Sequence, residues 1–185
     1  MTLRPPRVLA VALVALACAA SRAAAQEPTV VVLVRHAEKA NARGPDPDPE
    51  LTRAGRARAR ALAEALADTR VDAVITTQYR RTRATAAPLA TARHITPEVI
   101  DVRQGDHVAR IAQSVRTRHA GRVVLVVAHA ESVARIIAAL GGPRFRDLCD
   151  SEYDTLFVLV LRPGQEPTLV RSRYGAPDRP ARDCR

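Results

Sequence analysis

Four basic side chains lie at the ends of strand-like segments in this 185-residue chain. Arg35 and His36 directly follow one apolar run, His129 directly follows another, and Arg81 comes a few residues after a third. Arginine can hold phosphate oxygens with two parallel N–H donors, and histidine can attack phosphorus as a nucleophile. Each residue alone would be weak evidence, but their joint placement indicates phosphoryl transfer with one histidine as the nucleophile.

The elements that carry these residues alternate between strands and helices. This alternation predicts one domain with a three-layer α/β/α sandwich and a mainly parallel central sheet. The carboxyl ends of parallel strands share one edge of the sheet, and ligands bind there, so the four basic residues should meet at that edge. The predicted strands cover 29–34, 71–76, 98–102, 123–128, 155–161 and 168–173. The predicted helices begin after the capping residue Thr52 and at 80–92, 106–118 and 131–140.

Four motifs resemble those of the histidine phosphatase superfamily, whose members are phosphoglycerate-mutase-like. Residues 33–38, Leu-Val-Arg-His-Ala-Glu, resemble the family's Arg-His-Gly motif, and residues 51–55 resemble the Leu-Thr-x-x-Gly segment that opens its first helix. Residues 76–86 are similar to Ser-Ser-x-x-x-Arg-x-x-x-Thr-Ala, a register that selects Arg81 as the phosphate-binding arginine. Residues 127–130 resemble the later Gly-His-Gly/Ser motif. The four motifs occur in family order.

The resemblance implies a phosphatase that needs neither a metal ion nor a cofactor. His36 would attack phosphorus and become a phosphohistidine, while Arg35, Arg81 and His129 would bind the phosphate oxygens and stabilise their developing charge. The first candidate for the general acid is Asp101, since it lies where many members carry a Leu-x-Glu segment. Three further carboxyl groups stay open for that role: Asp106, Glu38 and Glu131.

Some positions depart from the family pattern. Ala37, Ala128 and Ala130 replace residues that are often glycine or another small residue, and Glu131 stands where a neutral residue such as asparagine is expected. A carboxylate near the pocket would repel a phosphate dianion unless an arginine pairs with it. These departures leave the substrate and the rate more open than the fold.

Residues 1–25 have the order of a secretory signal peptide. Arg4 and Arg7 precede an apolar run, and three alanines before Gln26 form a small-residue cleavage site. The run is shorter than the roughly 20 residues that cross a bilayer, so we expect no stable membrane span. The mature domain would then be 26–185, either periplasmic or secreted. Lipid attachment at Cys18 is a less favoured alternative.

Two cysteines remain in the predicted mature domain. After removal of the leader, Cys149 and Cys184 are the remaining cysteines, and in an oxidising compartment they could form a disulfide.

The net charge is +10, but the arginines are scattered and form no nucleic-acid-binding module, so we expect no nucleic-acid partner. Arg58 and Arg60 are expected on the solvated face of a helix. The other three histidines are also expected at the surface: His94, His107 and His119.

Three functions follow from these observations. The first is a phosphatase that hydrolyses phosphomonoesters of small compounds through a phosphohistidine on His36. The second is a phosphatase for phosphohistidine or another phosphoprotein, since the short spacing between motifs leaves the site open. The third is a phosphate-binding module of the same fold that does not turn over its ligand. A mutase is the least expected, because an exported protein would not meet glycolytic phosphoglycerates.

Overall fold

The computed structural model describes residues 27–40 and 46–178. Within these residues, six strands form one sheet and four helices pack against it. The strands are β1 (Thr29–Arg35), β2 (Ala73–Thr77), β3 (Glu98–Ile100), β4 (Val123–Ala128), β5 (Thr155–Leu161) and β6 (Thr168–Arg173). The helices are α1 (Arg53–Ala65), α2 (Arg80–Ala92), α3 (His107–Thr117) and α4 (Ala130–Ala139). Each predicted strand and helix is present, with ends displaced by no more than about two residues.

The strands are arranged in the order β3-β2-β4-β1-β5-β6. The first four are mutually parallel, and β5 is antiparallel to both of its neighbours. The central strands β1 and β4 are continuous apolar runs, and their side chains are buried on both faces of the sheet, as is typical of parallel sheets. The prediction of a mainly parallel sheet is confirmed.

The helices cover the two faces of the sheet in pairs. Ile111 of α3 and Ile136 of α4 pack against Leu33 on one face. Leu62 of α1 and Leu89 of α2 belong to the cluster on the opposite face, which contains Val32 and Val34 of β1. Burial of each such side chain contributes about 1.5–3 kcal/mol. The fold is therefore a three-layer α/β/α sandwich.

Local side-chain contacts fix where two of the helices begin. The Thr52 hydroxyl accepts a hydrogen bond from the Gly55 N–H at 3.0 Å, which caps α1 as predicted. The Asp106 carboxylate accepts from the N–H groups of Val108 and Ala109 at 3.1 and 3.2 Å and caps α3. Both helices follow a strand end, so these caps also fix the loops at the carboxyl edge of the sheet.

The structure corrects three predictions of surface exposure. Arg58 is buried, with a side chain only 5% exposed, while Arg60 on the same helix is exposed as predicted. The side chain of His119 is only 13% exposed, and its Nε2 lies 3.0 Å from a Glu98 carboxylate oxygen. His107 is half-buried, whereas His94 is exposed. The periodicity of the helices located their apolar faces correctly. It did not indicate that Arg58 would lie on the buried face of α1.

Some predictions fall on residues outside the described ranges. The signal peptide at 1–25 and Cys184, one partner of the predicted disulfide, are both among these residues. Within 27–40 and 46–178, no helix has the length and apolar character needed to cross a bilayer.

Candidate active site

The ends of β1 and β4 bring two histidines together. Arg35 is the last residue of β1 and pairs with Ala128, the last residue of β4. His36 and His129 are the next residues of the two segments, and the His36 N–H donates to the Ala128 carbonyl at 2.9 Å. Their ring centroids are 5.4 Å apart in an edge-to-face arrangement. Both side chains are buried, so their relative position is fixed by the sheet.

One hydrogen bond sets the tautomer of His36. Its Nδ1 lies 2.8 Å from the carbonyl oxygen of Ala37. Because a carbonyl oxygen can only accept, the proton is on Nδ1, and Nε2 carries the free lone pair. This is the protonation state that a nucleophilic imidazole requires.

A second layer of contacts holds the Ala37 peptide in place. The Thr85 hydroxyl of α2 accepts from the Ala37 N–H at 2.9 Å and donates to the Arg81 carbonyl at 2.7 Å. Gly55 of α1 lies against the next residue, since an added Cβ would meet the Glu38 carbonyl oxygen at 2.2 Å. The threonine of the third motif and the glycine of the second therefore both support the peptide that orients the His36 ring.

Burial keeps both imidazoles neutral. Desolvation is the largest cause that lowers the pKa of His36 to about 3, and the nearby charges of Arg35 and Arg81 act in the same direction. Desolvation likewise lowers the pKa of His129 to about 3, with Arg81 and the half-buried His107 as the next causes. A neutral His36 at physiological pH has its lone pair available for attack.

Threonines at the end of β2 anchor His129. Its Nε2 lies 3.1 Å from the Thr77 hydroxyl, which in turn lies 2.9 Å from the Thr82 hydroxyl. Thr82 donates either to the carbonyl of Thr77, at the end of β2, at 3.1 Å or to that of Tyr79, just before α2, at 2.9 Å. The neighbouring strands β2 and β4 are thus connected by hydrogen bonds that stop His129 from rotating.

The loop before β5 holds the guanidinium of Arg35. One terminal nitrogen lies within hydrogen-bond distance of the carbonyls of Cys149, Asp150 and Glu152 at 2.8, 2.9 and 3.3 Å. The other donates to the Tyr153 hydroxyl at 3.3 Å, and the guanidinium carbon lies 4.1 Å from the centre of the Tyr153 ring. Arg35 is consequently fixed against this loop.

Arg81 is held in a similar way from the other side of the site. Its guanidinium carbon lies 4.0 Å from the centre of the Tyr79 ring. Its terminal nitrogen lies 3.4 Å from the Asp48 carboxylate, which also accepts from the Arg80 N–H and so caps α2. The Tyr79 ring meets the His129 ring edge-to-face, with centroids 5.5 Å apart.

Both arginines have one hydrogen-bond donor that is unpaired within the described residues. The Nε atoms of Arg35 and Arg81 are buried and have no hydrogen-bond partner among the described residues. A buried donor without a partner costs about 1–3 kcal/mol, which an anion bound between the two guanidiniums would recover. Two histidines and two arginines with spare donors form a site suited to a tetrahedral oxyanion.

Comparison with a protein family agrees with this geometry. The family model described as histidine phosphatase superfamily (branch 1) matches residues 31–103, which include His36, Thr85 and Arg81. Over this segment the chain is similar to the histidine phosphatase superfamily. No curated protein sequence matches the chain significantly.

Solved structures share the fold over most of the chain. A structure of the protein histidine phosphatase SixA with tungstate is 19% identical, with a TM-score of 0.62, and the match covers 78% of this chain and 96% of SixA. A mycobacterial glucosyl-3-phosphoglycerate phosphatase is 19% identical, with a TM-score of 0.58 and coverages of 80% and 98%. A structure called mycobacterial hydrolase 2 is 19% identical, with a TM-score of 0.59 and coverages of 84% and 94%. At these identities the likeness establishes the fold.

The position of Asp101 does not support the predicted role as general acid. Its two carboxylate oxygens bind the Arg103 guanidinium at distances of 2.7 to 3.2 Å. The hydrogen bonds from Arg103 lower the pKa of Asp101 to about 2. A carboxyl group with this pKa is ionised at neutral pH and has no proton to give, because a useful general acid has a pKa near the working pH.

Two of the other three candidates are also committed to structural contacts. Asp106 caps α3. Glu38 accepts three hydrogen bonds from Arg58 at 2.8 to 3.0 Å, although it is only two residues from His36. Glu131, in the first turn of α4, is exposed and has no ion pair among the described residues. Glu131 is therefore the one candidate carboxyl that is close in sequence to His129 and not already engaged among the described residues.

A buried ion-pair network lies behind the site. Arg58 binds Glu38 on one side and approaches Asp178 at 3.4 Å on the other. The Asp178 carboxylate accepts from the N–H groups of Tyr153 and Asp154 at 2.7 and 2.9 Å. The network thus connects the segment after β1 with the loop that holds Arg35.

Sequence reasoning missed the residues that hold the arginines. Tyr79 lies inside the third motif, but at one of its variable positions. Tyr153 and Asp48 lie outside all four motifs, so only the fold places them beside the site. The rarity of tyrosine, with three in the chain, was the available signal, because Tyr79 and Tyr153 are two of those three.

Within residues 27–40 and 46–178, no group of three or more His, Cys, Asp and Glu is placed to hold a metal ion.

Proposed function

We propose that the chain is a phosphatase that hydrolyses phosphomonoesters through a phosphohistidine on His36, with no metal ion. The observation that carries this proposal is the fixed tautomer of His36, whose Nδ1–H binds the Ala37 carbonyl and leaves Nε2 free beside His129. Similarity of residues 31–103 to the histidine phosphatase superfamily supports phosphatase activity in general. The monoester substrate and the chemical steps are our inference.

The first step transfers the phosphoryl group to the protein. The Nε2 lone pair of His36 forms a bond to phosphorus while the bond from phosphorus to the leaving oxygen breaks in line with it. Arg35 and Arg81 donate to the oxygens that gain charge, using the Nε–H groups that have no partner in the described part of the chain. In this scheme the positive charge that a metal ion could provide comes from the two guanidiniums.

The second step regenerates the imidazole. Water attacks phosphorus, the bond between phosphorus and His36 Nε2 breaks, and inorganic phosphate leaves. A bound phosphate dianion opposes the effect of the two arginines on His129, so its pKa should rise when substrate binds. His129 can then donate a hydrogen bond to a phosphate oxygen.

A phosphatase for phosphohistidine or another phosphoprotein is the alternative that one observation favours. Asp101, Asp106 and Glu38 are all engaged in ion pairs or helix caps, which leaves the exposed Glu131 as the one candidate acid for a poor alkoxide leaving group. Imidazole has a pKa of about 6.5 and leaves more readily than an alkoxide. SixA, which shares the fold, is called a protein histidine phosphatase.

We also propose that the protein works outside the cytoplasm. The support is the leader at 1–25, with its basic start, apolar run and alanine cleavage site. Pairing of Cys149 with Cys184 would be consistent with an oxidising compartment. Mass spectrometry of the protein from its host would give the mature N-terminus and show whether the two cysteines are linked.

The purified mature protein tests the proposal directly. We expect it to hydrolyse p-nitrophenyl phosphate in the presence of EDTA, and we expect the His36→Ala variant to lose the activity. Rapid acid-free quenching should trap phosphate that is labile to acid and stable to base, as a phosphohistidine is. Full activity of His36→Ala would exclude His36 as the nucleophile.

A comparison of substrates separates the two functions. Phosphohistidine peptides hydrolysed much faster than alkyl phosphates would favour the phosphoprotein role, and the reverse order would favour small monoesters. A wild-type protein that binds vanadate but hydrolyses none of these substrates would instead be a phosphate-binding module.

A further inference from the structure

We propose that Tyr79 and Tyr153 are positioning residues that hold Arg81 and Arg35 ready for phosphate. This inference rests on the proposed phosphatase function and adds a role for two side chains outside the catalytic set. In each pair the guanidinium carbon lies over the tyrosine ring, 4.0 Å from the ring centre for Arg81 and 4.1 Å for Arg35. The pairs come from different parts of the chain, so the same arrangement is built twice at one site.

Each tyrosine also contacts a histidine. Tyr79 meets His129 with ring centroids 5.5 Å apart and an interplanar angle of 85°. Tyr153 lies 6.3 Å from His36 at an angle of 60°. Since the two histidines also touch each other, the rings form a continuous series from one arginine to the other. Movement of either tyrosine would therefore disturb an arginine and a histidine together.

The charges around the arginines explain why an aromatic partner suits this site. A carboxylate in direct contact would neutralise a buried guanidinium but would compete with the incoming phosphate. The nearest carboxylate to Arg35 is Asp150 at 3.8 Å, with a side chain 98% exposed, and Arg81 has Asp48 at 3.4 Å. The negative face of a tyrosine ring stabilises a cation without contributing an anion. The rings thus fix both guanidiniums, while among the described residues Arg35 has no carboxylate nearer than 3.8 Å and Arg81 has only the 3.4 Å contact with Asp48.

The third tyrosine provides an internal contrast. Tyr174 lies against Arg58, but the guanidinium carbon is 5.9 Å from its ring centre. Arg58 is neutralised by the Glu38 carboxylate at 2.8 Å and has Asp178 at 3.4 Å. An arginine with carboxylate partners does not need a close aromatic face. Tyr174 is therefore a matched control outside the site.

The test replaces each tyrosine with phenylalanine and with leucine and measures vanadate inhibition, kcat and KM. We expect Tyr79→Leu and Tyr153→Leu each to weaken vanadate binding and to raise KM about tenfold, the effect of losing a desolvated cation–π contact. Tyr79→Phe should stay within about twofold of wild type because the ring remains. Tyr153→Phe should lose slightly more, since the hydroxyl that accepts from Arg35 is removed.

The controls separate positioning from stability. Tyr174→Leu should lower the melting temperature and leave vanadate affinity unchanged. If a leucine variant does not fold, methionine at the same position keeps the bulk without the ring face and should show the same loss. Leucine or methionine variants that bind vanadate as wild type does would overturn the inference.

The outcome also distinguishes failure of this inference from failure of the proposed function. A wild-type protein that hydrolyses phosphate esters, together with unaffected leucine variants, would remove only the role of the tyrosines. A wild-type protein that neither binds vanadate nor hydrolyses any substrate would remove both.

Discussion

Two arginine environments on opposite sides of the segment after β1 differ in how their charge is balanced. Arg58 donates to Glu38, to the carbonyls of Tyr174 and Ala176 and to Asp178, so its donors are engaged. Arg35 and Arg81 lack a carboxylate within 3.3 Å and retain an unpartnered Nε within the described part of the chain. Among the described residues, Arg58 thus has a close carboxylate and no unused donor, while each of the two arginines of the site has only a longer carboxylate contact and one unused donor. This difference predicts that the first kind supports stability and the second supports activity.

The largest expected effect is on catalysis and comes from an arginine of the site. We expect Arg81→Met to lower kcat/KM by about 10²–10³-fold, as loss of one preorganised donor to a transition-state oxyanion typically does. Stability should stay near that of wild type, since the substitution removes a poorly compensated buried charge. Steady-state kinetics and urea unfolding of the same preparation measure both. A large loss of stability with little loss of activity would reverse the comparison.

Arg58 should show the opposite result. We expect Arg58→Met to cost about 3 kcal/mol of unfolding free energy, because Glu38 and Asp178 would lose their shared partner. For a chain of this size the melting temperature should fall by roughly 10 °C. The remaining folded protein should keep kcat/KM within about tenfold of wild type. A melting temperature equal to that of wild type would show that the network adds nothing to stability.

The neutral histidines predict how stability depends on pH. The pKa of His36 and that of His129 are both lowered to about 3, whereas an unfolded histidine titrates near 6.5. Between these values the unfolded chain binds more protons, so stability falls as the pH is lowered from about 6.5 and does not change above about 7 from these groups.

The acidic side of this profile can be measured by urea unfolding at pH 7 and pH 5. We expect a loss of roughly 4 kcal/mol, about 2 kcal/mol from each histidine, before unfolded carboxyl groups with pKa values near 4 begin to contribute. The double variant His36→Gln with His129→Gln should show a much smaller change. Equal pH dependence in the two proteins would mean that the buried imidazoles are not the cause.

The smallest effect is expected for Asp101. Its carboxylate is paired with Arg103, as that of Glu38 is with Arg58, and its pKa is about 2. We expect Asp101→Asn to change kcat/KM by less than twofold on both p-nitrophenyl and alkyl phosphates. A loss of tenfold or more confined to alkyl phosphates would restore Asp101 as the general acid and would show that an ion pair with Arg103 does not prevent that role.

The parts of the molecule that sequence alone predicted are those with local causes. The apolar run of β1 and the alternating strands and helices gave the three layers, and adjacency to strand ends placed His36, Arg35 and His129 at one edge. These positions depend on a few neighbouring residues and on general properties of parallel sheets.

The parts that were missed depend on contacts between distant residues. The burial of Arg58 follows from Asp178, which lies 120 residues later in the chain. Tyr153, which contacts Arg35, lies 118 residues later in the chain, and this contact depends on how β5 joins the sheet. Asp101 is different, because Arg103 is only two residues away and an ion pair within this turn was open to prediction.

The reversed direction of β5 has a consequence for how this site can vary. Because β5 runs against β1, its first residue rather than its last lies at the catalytic edge, and Val34 pairs with Leu156 there. The chain therefore approaches this edge through residues 149–153, which belong to none of the four motifs. Substitutions in that segment can tighten or loosen the hold on Arg35 without altering the strands that supply the histidines. The two histidines and the segment that holds Arg35 can thus change independently.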